Sequence, residues 1–217
     1  MIRINKYLRD KGLASRREAD KLIEDGFVIV NKKKAIQGMM VDEGDEVVVR
    51  GKAKNYQYLA YYKPRGLSTQ DKAGRENVVD QWKDRGLYPV GRLDKESEGL
   101  LVLTNDGRVS RDLLSEKYPK EYVVSVREKL RSGIPAILKS GMHTKTLGKL
   151  LPAESKIMGS HSIRIILHEG KKHQIRIMLS ELKYTVVSLK RVAIGKIKLG
   201  NLQPGQTRTL SGEFLLR

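Results

Sequence analysis

Asp94 has the setting of a chemically active carboxylate. It lies in the run Gly91-Arg92-Leu93-Asp94-Lys95-Glu96-Ser97-Glu98-Gly99, two positions after a guanidinium, Arg92. A carboxylate presented in this way can serve as a nucleophile or as a general acid or base. The apolar run Leu100 to Leu103 follows, between Gly99 and Gly107, and reads as a short buried strand. Asp94 then belongs to the loop feeding that strand, a common setting for functional groups. Taken alone, an aspartate here is as readily a turn residue. Its surroundings decide between the two.

The elements that must hold it fit into 217 residues, enough for one medium and one small domain. Hydrophobic residues make up 39%, and the mean hydropathy is -0.46. This balance suits a globular chain with a real core. No apolar run approaches the roughly 18 residues of a membrane span, and the first residues lack a signal-peptide pattern. There are no cysteines, which excludes disulfides, thiolate zinc sites and a thiol nucleophile. All of this fits a cytoplasmic protein, with a monomer as the expected state.

The formal net charge is +18. A field of that size attracts polyanions through phosphate contacts and counterion release, so nucleic acid is the expected partner. Residues 1–50 carry 11 Lys/Arg against 9 Asp/Glu, so most of the excess lies beyond them. The acids of this part cluster late, at Asp42, Glu43, Asp45 and Glu46, which leaves room for a basic face at its front.

Ile4, Tyr7 and Leu8 recur at helical spacing, and Gly12 ends that first helix. Ser15-Arg16-Arg17-Glu18 reads as a capping box opening a second helix, which stops near Gly26. Strands follow around Ile29 and at Val47 to Val49, with turns at Asn31-Lys32 and Gly44-Asp45. This plan, with Gly26-Phe27-Val28-Ile29-Val30-Asn31, resembles the S4 RNA-binding domain. The resemblance nominates Arg3, Asn5, Lys6, Ser15, Arg16, Arg17 and Lys21 as RNA contacts. Such a module reads folded RNA mostly by shape and backbone, giving affinity more than sequence choice.

The polar stretch 51–56 reads as a linker between an S4-like module at 1–50 and a larger domain at 57–217. In the larger domain, strands are expected at Tyr58 to Tyr62, Leu100 to Leu103, Glu121 to Val126, Ser162 to Leu167 and Tyr184 to Leu189. Helices are expected around Val78 to Asp84, Val109 to Ser115, Pro135 to Ser140 and His173 to Leu182. The class is α+β.

Four ordered blocks add to the Asp94 segment: Lys63-Pro64-Arg65-Gly66, then Lys120-Glu121-Tyr122-Val123-Val124, then Glu169-Gly170-Lys171-Lys172-His173-Gln174-Ile175-Arg176, and Leu189-Lys190-Arg191-Val192-Ala193-Ile194-Gly195. Together they resemble the RsuA branch of the RNA pseudouridine synthases, over almost the whole chain after residue 56. The resemblance implies a mixed, mainly antiparallel sheet around a central cleft. It also implies isomerisation of a uridine in ribosomal RNA, or in a ribosomal subunit precursor, to its C-glycoside, with a slight lean to the large subunit. No atom is gained or lost in that reaction, so no cofactor is implied. Asp94 becomes the catalytic carboxylate, with three roles open: attack on ribose C1′, attack on uracil C6, or removal of a sugar proton. Tyr122 would stack on the uracil, and Arg176 would pair with Asp94 and keep it ionised. Lys63, Arg92, Lys171, Lys172, His173, Gln174 and Arg191 are the further RNA-contact candidates. One departure stands out: several relatives have two adjacent arginines where this chain has Arg176-Ile177. Transfer RNA is the alternative substrate, and a non-catalytic ribosome-assembly factor is the alternative of another class.

Two patterns point elsewhere and are set aside. His168-Glu169 with His173 has histidines five apart, not the four that share a helix face in zinc proteases. Trp82, in apolar company, reads as core.

Overall fold

The computed structural model describes residues 1–50, 55–71 and 74–212. Most of the expected linker, residues 51–54, lies outside the described residues. Two compact units form: Met1–Tyr56 with Asp106–Arg111, and Gln57–Asn105 with Asp112–Arg217.

The first unit contains β1 (Ile2–Arg3), α1 (Ile4–Asp10), α2 (Arg16–Glu24), β2 (Val28–Val30), β3 (Lys33–Lys34), β4 (Met40–Val41) and β5 (Val47–Val49). Ile4 and Leu8 of α1 and Ala19 and Ile23 of α2 are buried against Val28, Val30 and Val41, as the helical spacing requires. The capping box is formed: the Glu18 N–H donates to Ser15 Oγ at 3.3 Å, and the Ser15 N–H donates to the Glu18 carboxylate at 3.4 Å. Asn31 and Lys32 both take positive φ, the backbone of a tight hairpin turn between β2 and β3.

The second unit continues with β6 (Tyr58–Lys63), α3 (Val78–Lys83), β7 (Tyr88–Val90), β8 (Glu98–Thr104), α4 (Val109–Leu114, shared with the first unit), β9 (Lys120–Val126), α5 (Ile134–Lys139), β10 (His143–Thr144), β11 (Gly148–Lys149), β12 (Glu154–Gly159), β13 (Ser162–Leu167), α6 (Gln174–Glu181), β14 (Val186–Ile194), β15 (Ile197–Lys198) and β16 (Thr207–Thr209). Its main sheet has nine strands, with the order β12-β13-β9-β14-β8-β6-β16; β15 pairs β14, and β7 pairs β8. The β14–β8 pair is parallel and the other pairs are antiparallel. The mixed, mainly antiparallel α+β architecture is therefore present. β8 reads apolar along its length because it is central, with Leu100 to Leu103 all fully buried. Trp82 packs edge-on against Tyr61, ring centroids 5.7 Å apart, in the core beside β8.

The parallel junction puts Arg191 opposite Gly99. Gly99 has φ +106°, and a Cβ there would lie 2.3 Å from the Arg191 carbonyl oxygen. Neither the backbone angle nor the space admits a side chain. Gly99→Ala should cost on the order of 2–4 kcal/mol and lower the melting temperature by roughly 5–10 °C. A Gly99→Ala protein that melts with wild type would show that this close approach is not tight.

Candidate active site

Asp94 stands on a short loop between β7 and β8 whose backbone is tied at several points. Thr69 takes the Leu93 N–H on its hydroxyl oxygen at 3.0 Å and donates to the Leu93 carbonyl at 2.7 Å. The Ser97 N–H closes a turn on the Asp94 carbonyl at 3.0 Å, and the Gly66 N–H donates to the Lys95 carbonyl at 2.8 Å. Leu93 anchors the loop in the core, while the Asp94 side chain is 34% exposed. None of these ties uses the carboxylate, which is left to face a cleft.

The expected Arg176–Asp94 pair is not what the structure contains. Arg176 Nη2 donates to the Glu96 carbonyl at 2.9 Å and to Ser97 Oγ at 3.3 Å, so the guanidinium grips the loop rather than its carboxylate. The side chain within ion-pair distance of the Asp94 carboxylate among the described residues is His173, with Nε2 3.3 Å from Oδ1. His173 reaches it from the N-cap of α6 in the left-handed conformation, φ 56°, a region histidine enters more readily than most residues.

Several expected RNA contacts have other duties here. Lys63 is fully buried at the end of β6, and its ammonium donates to the carbonyls of Pro64 at 2.9 Å and Leu67 at 2.6 Å. It shapes the turn that offers the Gly66 N–H to the Asp94 loop. Gln174 is buried too; its amide donates to Glu169 Oε1 at 2.8 Å and its oxygen accepts the Lys171 N–H at 3.0 Å. Lys171 Nζ is spent on the Leu147 and Lys149 carbonyls, at 3.2 and 2.8 Å. Arg92 and Lys172 remain exposed.

Burial pushes the Lys63 ammonium down to about 8, against the pull of Asp94, Glu96 and Glu98; burial first and then the Arg191 charge do the same to Lys120, also to about 8. Both lysines bind protons more weakly folded than unfolded. Between pH 8 and the ordinary lysine range the unfolded chain therefore holds more protons, and their contribution to stability rises with pH. Lys63→Met should flatten the rise in urea-unfolding stability between pH 8 and 10. An identical pH dependence in wild type and variant would rule this out.

A cleft of about 500 Å³ collects Arg92, Asp94, Tyr122, Lys172, His173 and Arg191, with Lys120 at its floor. Tyr122 on β9 lies in register with Arg191 on β14, so both side chains share one face of the sheet. Arg176 and Lys63 are not among the residues that line the cleft. Lys120, Thr69 and Ser97 were not anticipated. Lys120 alone carried a signal, since it stands two residues before Tyr122 and so on the same face of its strand. Among the described residues, no group of three or more His, Asp or Glu side chains is placed to hold a metal ion.

In the first unit Arg3, Lys6, Arg16, Arg17 and Lys21 are exposed. Asn5 instead ties α1 to α2, its amide donating to Asp20 Oδ1 at 2.7 Å, and the Ser15 hydroxyl serves as the cap.

The chain is similar to known proteins over nearly its whole length. Residues 57–181 match the RNA pseudouridylate synthase family, and residues 2–47 match the S4 domain. The chain is 34% identical to the ribosomal large subunit pseudouridine synthase B of Bacillus subtilis, over 97% of this chain and 93% of that protein. It is 38% identical to an RNA pseudouridine synthase of Aquifex aeolicus, over 97% and 90%, and 34% identical to the dual-specificity RNA pseudouridine synthase RluF of Escherichia coli K12, over 99% and 77%. A crystal structure of a pseudouridylate synthase shares the fold, with a TM-score of 0.72 at 24% identity over 99% of this chain and 98% of that one. Among the described residues no helix is long and apolar enough to cross a membrane. With a family match over more than half its length and full-length relatives above 30% identity, this chain belongs to the RNA pseudouridine synthases, enzymes that isomerise uridine in RNA, and carries an S4 RNA-binding domain.

Proposed function

We propose that the protein acts as a monomer on ribosomal RNA, most readily that of the large subunit, free or in a precursor particle. The observation that carries the reading is a cleft that brings Asp94 and Tyr122 together behind an exposed rim of Arg92 and Lys172. The similarity to the ribosomal large subunit pseudouridine synthase B of Bacillus subtilis supports the large-subunit assignment. The target uridine leaves its stack, because its reacting atoms are inaccessible inside a helix. Arg92 and Lys172 meet the RNA backbone at the mouth. Tyr122 supports the uracil, and Asp94 Oδ2 faces the sugar and base while His173 occupies Oδ1. Arg176 keeps the loop in register.

The experiment is tritium release from transcripts labelled at uridine C5, since forming the C5–C1′ bond expels that hydrogen. Release from large-subunit RNA, with one site found by mapping, is the expected result. Release from transfer RNA alone would overturn the substrate assignment.

The S4 unit supplies affinity through Arg3, Lys6, Arg16, Arg17 and Lys21. Replacing both Arg16 and Arg17 by Ala should weaken binding and reduce the slope of log K against log salt by about 2. Filter binding over a salt series measures it. An unchanged slope would remove both arginines from the RNA interface.

A further inference from the structure

The floor of the cleft carries positive charge that the protein does not neutralise. Two cations line it, Arg191 at 5% exposed and Lys120 at 6%, and a third, Lys63, is fully buried outside the lining. Their bonds run to main-chain carbonyls: Arg191 Nε to Leu100 at 2.8 Å, Lys120 Nζ to Ser115 at 2.8 Å, and Lys63 to Pro64 and Leu67. No carboxylate lies within ion-pair distance of any of the three among the described residues. Arg191 Nη2 is buried without any hydrogen-bond partner. The Arg191 charge also makes it harder for both lysines to stay protonated. Grouped buried cations without a counter-ion cost stability. A fold retains them at a reactive cleft when the missing negative charge arrives with the ligand.

We propose that Lys120 and Arg191, beneath Tyr122, form an anion pocket for the oxygens of the uracil ring, engaged when negative charge develops on the base. This rests on the reaction assigned above, yet holds for each role open to Asp94. If the carboxylate attacks C1′, an ester C–O bond forms, N1–C1′ breaks, and its electron pair leaves with the base, spread over N1, O2 and O4. If it removes a C2′ proton, the C–H pair becomes a C1′–C2′ double bond and N1 again takes the glycosidic pair. If it adds to C6, a C6–O bond forms, the C5–C6 π pair shifts to C4–C5 and the C4–O4 π pair moves onto O4 as an enolate. Each route makes an oxyanion on the base, and fixed buried cations stabilise developing charge without reorganisation.

A backbone phosphate is the other anion the RNA brings. The depth of these cations speaks against it: Arg92 and Lys172 meet solvent at the rim, whereas Lys120 and Arg191 lie on the sheet beside the tyrosine. The two sources also differ in when the charge exists. A phosphate is anionic in the bound ground state, so losing its partner weakens binding. The base is anionic only as reaction proceeds, so losing its partner lowers kcat and spares affinity.

The experiment compares wild type, Arg191→Gln, Arg191→Lys and Lys120→Met by single-turnover tritium release, by filter binding of the same RNA, and by thermal melting. For Arg191→Gln and Lys120→Met the rate should fall about 10²–10³-fold while Kd stays within about three-fold, with partial recovery in Arg191→Lys. Lys120→Met should melt at or above wild type, because it removes a buried charge. This separates lost catalysis from lost folding. A Kd that rises in step with the lost activity would overturn the proposal in favour of a phosphate site, and an unaffected rate would overturn it outright. A wild type that releases no tritium from any RNA would instead refute the reaction, and the pocket's assignment with it.

Discussion

Asp94→Asn is expected to abolish tritium release, lowering turnover by about 10⁴-fold or more, while RNA affinity changes by less than about two-fold. The substitution keeps the shape of the side chain and removes its charge. The ties that fix its loop, from Thr69, Gly66, Ser97 and Arg176, run to backbone or to Ser97, so the loop should survive the change. What disappears is a carboxylate able to attack or to accept a proton. In the proposed reading, binding is carried by the rim and the S4 unit, which the change does not touch. A fully active Asp94→Asn protein would end the assignment of Asp94. A variant that loses RNA affinity together with activity would make Asp94 a binding residue.

Arg176→Lys is expected to lower kcat by about 10²-fold with little change in Kd, since displacing a reacting group by about 1 Å can cost that much. The guanidinium holds two acceptors, the Glu96 carbonyl and the Ser97 hydroxyl, just after Asp94. An ammonium keeps the charge, but on a shorter stem without the rigid planar head that aims Nη2 at both acceptors, and would hold the loop less firmly. The charge-conserving change thereby separates geometry from electrostatics. Activity close to wild type would mean that only the positive charge matters. A large rise in Kd would mean that Arg176 holds phosphate.

Much of this arrangement was legible in the sequence, for identifiable reasons. Strand Ser162–Leu167 was expected at the residues where it forms, because alternate side chains are buried between neighbours. Helix α6 was placed to within a residue at each end. Strands Glu154–Gly159 and Thr207–Thr209 were missed. Both lie at sheet edges and are largely exposed, so their pairing comes from neighbours and leaves little apolar alternation. At the site, residue types told more than contacts did. Asp94 and Tyr122 do meet in one cleft, but Lys63 and Gln174 were expected at the RNA and are buried. A charged or polar residue in a motif has the same letter whether it meets the ligand or holds the loop that does. Only the burial of its neighbours separates the two. The exchange of Arg176 for His173 beside Asp94 has the same origin: both lie in one short block, and the left-handed turn at His173 decides which side chain reaches the carboxylate.

The one parallel junction of the sheet bears on how the enzyme comes into being. Arg191 meets the Leu100 carbonyl across 91 residues of chain, and β8 and β14 pair only after β9 to β13 have been made. Closing so long a loop is slow, and pairings of this separation form late in folding. The pairings among β1 to β5 instead all lie within the first 50 residues. During synthesis the RNA-gripping part should thus mature while the catalytic cleft still lacks its floor. A nascent chain would hold RNA before it was competent to alter it, and competence would appear abruptly, when the strand bearing Arg191 docks.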